Sequence, residues 1–213
     1  VGDTLQNLGD VNGALESYRK ELLIFEKQSA ADPANAQFRS DLSSAYMQIG
    51  NILATLGHTA DALDNYRKAL VIREVLATAD SIDLWKRWDL ILAYAKTSST
   101  LAKLGQSSAA LEHSRKTETL LRDTTDDPTS VWLLNNRADA FSDLGEAFRL
   151  IASRGTMPIN QQRERWVDAR DSYQHSLDIW QDMRSKGKLS SAETSKFVKV
   201  TREILACNQA LAN

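Results

Sequence analysis

Apolar residues recur along this chain at intervals of three and four. The series Leu42, Ala45, Tyr46, Ile49, Leu53 and Leu56 marks one face of a helix. Ala62, Leu63, Tyr66, Ala69, Leu70 and Arg73 mark a second at the same period. Gly57 and Gly105 each stand between two such runs, where a helix C-terminus needs a residue that tolerates positive φ. Asp32-Pro33 and Asp127-Pro128 mark the other boundary, because proline opens a helix and cannot continue one. The predicted unit is helix A, a tight turn at glycine, helix B and a short loop.

That unit repeats every 48 residues. Gly9, Gly57 and Gly105 keep the step, as do Ala14, Ala62 and Ala110, and Arg19, Arg67 and Arg115. Leu5, Leu53 and Leu101 agree, and so do Leu8, Leu56 and Leu104. In a fourth copy Ala169 and Tyr173 take the parts of Ala62 and Tyr66, 11 residues late. The extra residues fall near Arg154–Glu164, where Gly155 and Pro158 break the helical pattern. The repeats run over about 1–33, 34–81, 82–128 and 129–186. After Gly187, Ser190 and Glu193 form a capping-box pattern that opens a last helix, a cap over about 189–213. One unit cannot bury both its faces, so neighbours must stack, and 1–213 reads as a single domain.

These residues resemble the tetratricopeptide repeat, whose helix A reads W-x2-L-G-x2-Y and whose helix B carries A-x3-F. The second unit has Tyr46-x2-Ile49-Gly50-x2-Leu53 and Ala62-x3-Tyr66. The first keeps Gly2-x2-Leu5, Gly9 and Ala14-x3-Tyr18. The third keeps Tyr94, Leu101, Gly105 and Ala110, with Ser98 for the glycine and Ser114 for the aromatic. The fourth has Gly145 and Ala169-x3-Tyr173. The resemblance implies an all-α fold, an α-α superhelical solenoid of about four helical hairpins plus a C-terminal capping helix. Gly50 and Ala62 are then small because helices A and B cross closely there. The usual period is ~34. Here both helices gain about two turns, and helix A spans about Ala34 to Leu56, ~33 Å. Long repeats of this kind are similar to those of kinesin light chains and of bacterial signalling proteins. The run Tyr173 to Trp180 resembles the last repeat of bacterial serine/threonine kinases with C-terminal arrays. Gly2 corresponds to Gly50, midway along helix A, so we expect a truncated first helix and a longer parent protein.

Composition narrows the function. The chain has 213 residues, with 26 Lys or Arg and 28 Asp or Glu, for a formal net charge of −2. That balance argues against nucleic acid as a partner, which calls for a basic face. Cys207 is the only cysteine, so no disulfide framework or cysteine-based metal site is readable. No apolar run approaches the roughly 18–20 residues of a membrane span, and no signal peptide is readable. We expect the cytoplasm, or the periplasm if an anchor lies upstream. His58, His113 and His175 lie at a turn and in two B helices, without metal-ligand spacing. Asp126-Asp127 sits in an inter-repeat loop and reads as solvated capping rather than acid–base chemistry. No nucleophile, base and orienter come together, so we expect no enzyme, no catalytic residue, no metal and no cofactor. Of the five tryptophans, Trp85, Trp88 and Trp132 fall at helix A starts, while Trp166 and Trp180 flank the fourth helix B; packing is the expected role.

The resemblance places function in a concave groove lined by helix A, which binds a partner protein or peptide. Positions three and four apart give Ser44, Met47, Asn51 and Ala54 in the second repeat. They give Leu92, Ala95, Ser99 and Ala102 in the third, and Ala140, Asp143 and Ala147 in the fourth. Asn51, Ser99 and Asp143 would set the partner's polar register. Asn51 matches the asparagine of the family's carboxylate clamp, but Met47 replaces its lysine and Lys96 stands where a neighbouring asparagine is needed. Clamp recognition is therefore not expected. Arg39 and Arg87 repeat at the 48 step and form either a basic ladder for an acidic peptide or pairs with Asp41 and Asp89. Two other readings stay open: a regulatory or sensory C-terminal domain of a kinase-type signalling enzyme, and a structural module that dimerises through its solenoid ends.

Overall fold

The computed structural model describes residues 9–124 and 130–212. Gly2, Leu5, Leu8, the first helix A and the Asp126–Pro128 loop lie outside the described residues. Among those described there are eight helices and no strand. They are α1 (Val11–Ala31), α2 (Ala36–Thr55), α3 (Thr59–Ala79), α4 (Leu84–Lys103), α5 (Ser107–Asp123), α6 (Val131–Ser153), α7 (Ile159–Ser185) and α8 (Ser191–Ala212). The even-numbered helices α2, α4 and α6 are A helices; α1, α3, α5 and α7 are B helices.

Local chemistry sets the ends. Gly9, Gly57 and Gly105 hold φ of 82°, 82° and 80°, as the 48-residue step requires. After Gly57, the His58 N–H donates to the Leu53 carbonyl at 2.9 Å; after Gly105, the Gln106 N–H donates to that of Leu101 at 2.9 Å. Both close a Schellman-type C-terminus. At the other end of α2, the Asn35 carboxamide oxygen accepts from the Gln37 and Phe38 N–H groups at 3.0 and 3.3 Å. The Ser190–Glu193 box forms too: the Ser190 N–H donates to Glu193 Oε2 at 2.7 Å, and the Glu193 N–H to Ser190 Oγ at 3.4 Å. One boundary differs from expectation. The break between α6 and α7 closes at Pro158, and Ile159–Glu164 are already helical, so most of the insertion lengthens α7 to 27 residues. Proline fixes φ at the entry to a helix and so can start one where the sequence pattern suggests a loop.

The chain forms two compact units, Val1–Ala93 and Tyr94–Asn213, whose boundary falls within α4. In the first, α2 packs on both α1 and α3. Tyr18, Ile52, Tyr66, Trp88 and Ile91 are buried there. Arg73, which shares the apolar period of α3, is buried as well. Its guanidinium donates to the Asp89 carbonyl at 2.7 Å and to Ser43 Oγ at 3.3 Å, and meets the Asp89 carboxylate at 3.4 Å. A buried charge persists only with such partners. In the second unit α6 packs on α5 and α7, and α7 on α8. Trp180 and Met183 of α7 bury against Ala138, with Leu134, Leu189 and Phe197 around them. Two of the five tryptophans, Trp88 and Trp180, are fully buried, whereas Trp85 and Trp132 are exposed.

The crossing of A and B repeats as a residue pair. A Cβ on Gly50 would lie 2.6 Å from the Tyr66 ring, and one on Gly145 would lie 2.7 Å from the Tyr173 ring. Glycine is needed because the ring occupies the place of a side chain. The third repeat solves the same crossing differently: Ser98 Oγ and Ser114 Oγ share a hydrogen bond of 2.7 Å. A second recurring pair lies beside it. Lys68 sits over the Tyr46 ring at 5.3 Å and Lys116 over the Tyr94 ring at 5.2 Å. His175 meets Phe141 at 4.9 Å in the corresponding place.

Candidate partner-binding surface

Helix α2 of the first unit carries one polar stripe along its length. Gln37, Asp41, Ser44, Gln48, Asn51 and Thr55 follow each other at spacings of three and four, all exposed or partly exposed. Gln37 Nε2 donates to Asp41 at 2.8 Å, and Asn51 Nδ2 to Gln48 at 3.4 Å. The stripe departs from the sequence expectation at one point. Met47 is buried at 7% exposure, and Gln48 takes its place on the open face. The signal was present, since Gln48 lies four residues from Ser44 while Met47 lies between the buried Tyr46 and Ile49. Asn51 also has an internal duty: its Oδ1 accepts from the Tyr66 hydroxyl at 2.9 Å. Leu92 of α4 is partly exposed.

In the second unit the A-helix faces are closed to one another. Ala95 and Ala140 are fully buried and Ser99 is 2% exposed, so none of the three presents a surface. They are small because helices pack against them, not because a partner does. Asp143, expected to meet a partner, instead pairs with Lys96 across α4 and α6 at 3.0 Å. Burial drives its carboxyl above the usual carboxylate range, and Lys96 opposes that push. Lys103 and Glu146 pair across the same helices at 3.1 Å. The ladder continues to α8, where Lys196 meets Asp139 at 2.6 Å and Arg149 meets Glu203 at 3.1 Å. In addition, Asn135 donates to Glu193 at 3.1 Å. The terminal helix thus supplies side chains to the ladder besides covering Trp180.

Arg39 and Arg87 are partly exposed. Asp41 accepts from Gln37, and Asp89 is held by the buried Arg73. Within the described residues, no group of three or more His, Cys, Asp or Glu side chains is placed to hold a metal, and no helix is long and apolar enough to cross a membrane.

This pattern has a family match. A profile of the tetratricopeptide repeat fits residues 42–83, the segment that holds most of α2, the Gly57 turn and α3. Residues 42–83 thus match a tetratricopeptide repeat, within an all-α array of helical hairpins. Two crystal structures of MamA are similar to the chain. One has 19% identity and a TM-score of 0.44 and covers 100% of this chain and 96% of its own; the other has 18% and 0.43, with 100% and 90%. At these scores the likeness adds no weight to the fold described above. No curated protein matches the sequence. Tetratricopeptide repeats are, as a class, protein–protein interaction modules, and the matched hairpin is the one that presents the polar stripe.

Proposed function

We propose that the chain is a non-catalytic docking module whose principal contact is the α2 stripe, with Ser44, Gln48 and Asn51 facing a partner peptide or helix and Leu92 as a nearby apolar contact. The observation that supports it is the stripe itself. Ser44 is exposed at its centre and carries no hydrogen bond or ion pair among the described residues. An exposed line of polar groups at helical spacing suits an extended or helical partner, which reads positions in the same rhythm. Asn51 is a poor choice for the test, because its loss strips an acceptor from Tyr66. A photo-crosslinking amino acid at Ser44 avoids this. It should capture a partner that the same group at Asp178, on α7, does not; equal capture from both positions would refute the placement. With that partner in hand, Ser44→Arg should weaken binding tenfold or more, ~1.4 kcal/mol. Attachment to a signalling kinase and self-association through array ends are further readings of the same module. The gene on the 5′ side of the Val1 codon tests the first, and solution mass at two concentrations tests the second.

A further inference from the structure

Each unit holds a cleft of one design, away from the α2 stripe. In the first unit α1 and α3 form the walls and α2 the floor, with a volume of about 440 Å³; in the second, α5 and α7 form the walls and α6 the floor, with about 360 Å³. The linings correspond along one wall. Asp61, Asp64 and Lys68 of α3 match Asp168, Asp171 and His175 of α7, each 107 positions on. The floors are apolar in both, with Ile49 and Leu53 in the first and Phe141 and Leu144 in the second.

The opposite walls differ: Arg19 and Leu22 line the first, and Glu118, Leu121 and Arg122 the second. Where the first cleft has Leu22, the second has Glu118, 96 positions on. Glu118 is half-buried and has no hydrogen bond or ion pair among the described residues. The other two acids of this cleft are engaged: Asp168 pairs with Arg165 at 2.9 Å and Asp171 with Arg170 at 2.7 Å. Burial raises the Glu118 carboxyl above the usual range, Asp168 adds to the rise, and Arg165, Arg122 and Arg115 oppose it without reaching contact. A partly desolvated carboxylate beside an apolar floor is left with an unmet demand for a cation.

We propose that the second cleft takes a single arginine or lysine side chain of a partner segment, its methylene stem on Phe141 and Leu144 and its charged head on Glu118. Long cationic side chains cover apolar surface with their stems and seek carboxylates with their heads. Arginine fits best, since its planar fork can engage both carboxylate oxygens. Arg122 and Arg137 at the rim repel a run of positive charge, so an isolated basic residue is selected over a polybasic one. The first cleft, with Leu22 in place of the anchor, does not take it. This surface lies on B-helix walls, so it stands or falls independently of the α2 stripe.

An NMR titration of the full chain tests it with three probes: acetyl-Gly-Ala-X-Ala-Gly-amide, with X as arginine, glutamate or norleucine. The arginine probe should shift amides around Glu118, Phe141 and Asp168, and the other two should not. Glu118→Gln should weaken the arginine probe at least fivefold while leaving spectra elsewhere unchanged. Asp171→Lys, an exposed change at the mouth, should weaken it as well and serves if the first variant folds poorly. An equal response to norleucine would assign the cleft to apolar side chains. A stronger response to glutamate would assign it to anions through Arg122. Either result, arginine shifts scattered over the surface, or a Glu118→Gln chain that binds as before overturns the proposal.

Discussion

At the scale of single residues, the molecule turns on how closely a ring approaches a backbone. Tyr66 leaves no room for a Cβ at Gly50, and its hydroxyl is tied to Asn51, so the ring cannot swing aside without breaking that bond. Gly50→Ala gains ~1 kcal/mol of helix propensity and loses ~1–3 kcal/mol to overpacking. The net expectation is a loss of up to ~2 kcal/mol in urea unfolding; a gain would mean that the ring relaxes freely. The Ser98–Ser114 pair shows that the crossing tolerates a second solution provided both partners change together. The same reasoning explains which binding residues could be foreseen. Ser44 and Asn51 were legible as open positions because their neighbours in the helical period are apolar. Ala95, Ser99 and Ala140 were not, because a residue that is small to admit a neighbouring helix looks, in sequence, like one that is small to line a groove.

At the scale of elements, several helix ends were legible because their causes are local: the positive-φ glycines at 57 and 105 and the Ser190–Glu193 box. The start of α7 was not, since Gly155 and Pro158 read only as a break in the helical pattern, while the proline caps the helix that begins at Ile159. Helix α8 was expected as a cap, and its first turn shows how it is held. Glu193 accepts from Ser190 and from Asn135 of α6, and against the pull of burial the Ser190 hydrogen bonds hold its carboxyl below the usual range. Ser190→Ala should therefore cost ~1 kcal/mol and speed hydrogen exchange in the first turn of α8 while α6 stays protected. Equal acceleration in both helices would show that the box anchors more than its own helix.

At the scale of the whole molecule, two units each possess a core, one around Trp88 and Tyr66, the other around Trp180 and Tyr173. Repeat proteins gain stability from each unit and from its nearest neighbours, so cooperativity across the chain is not required. Hydrogen exchange at rising urea should give α2 and α3 one opening free energy and α6 and α7 another; a single common isotherm would show one folding unit. The 11-residue insertion adds a different constraint. Arg154, its first residue, donates to the Ala102 and Lys103 carbonyls at 3.0 and 3.1 Å, at the end of α4, where a cation also complements the helix dipole. Its guanidinium lies where a Cβ on Gly105 would point. Tandem arrays change length when like units recombine out of step. Because Arg154 takes main-chain carbonyls, a recombinant lacking the 48 residues of the third repeat would offer it those of Ala54 and Thr55 instead, beside the Gly57 turn. The clasp therefore ties the fourth repeat to its neighbour without reading that neighbour's side chains, and it leaves such a change of length open.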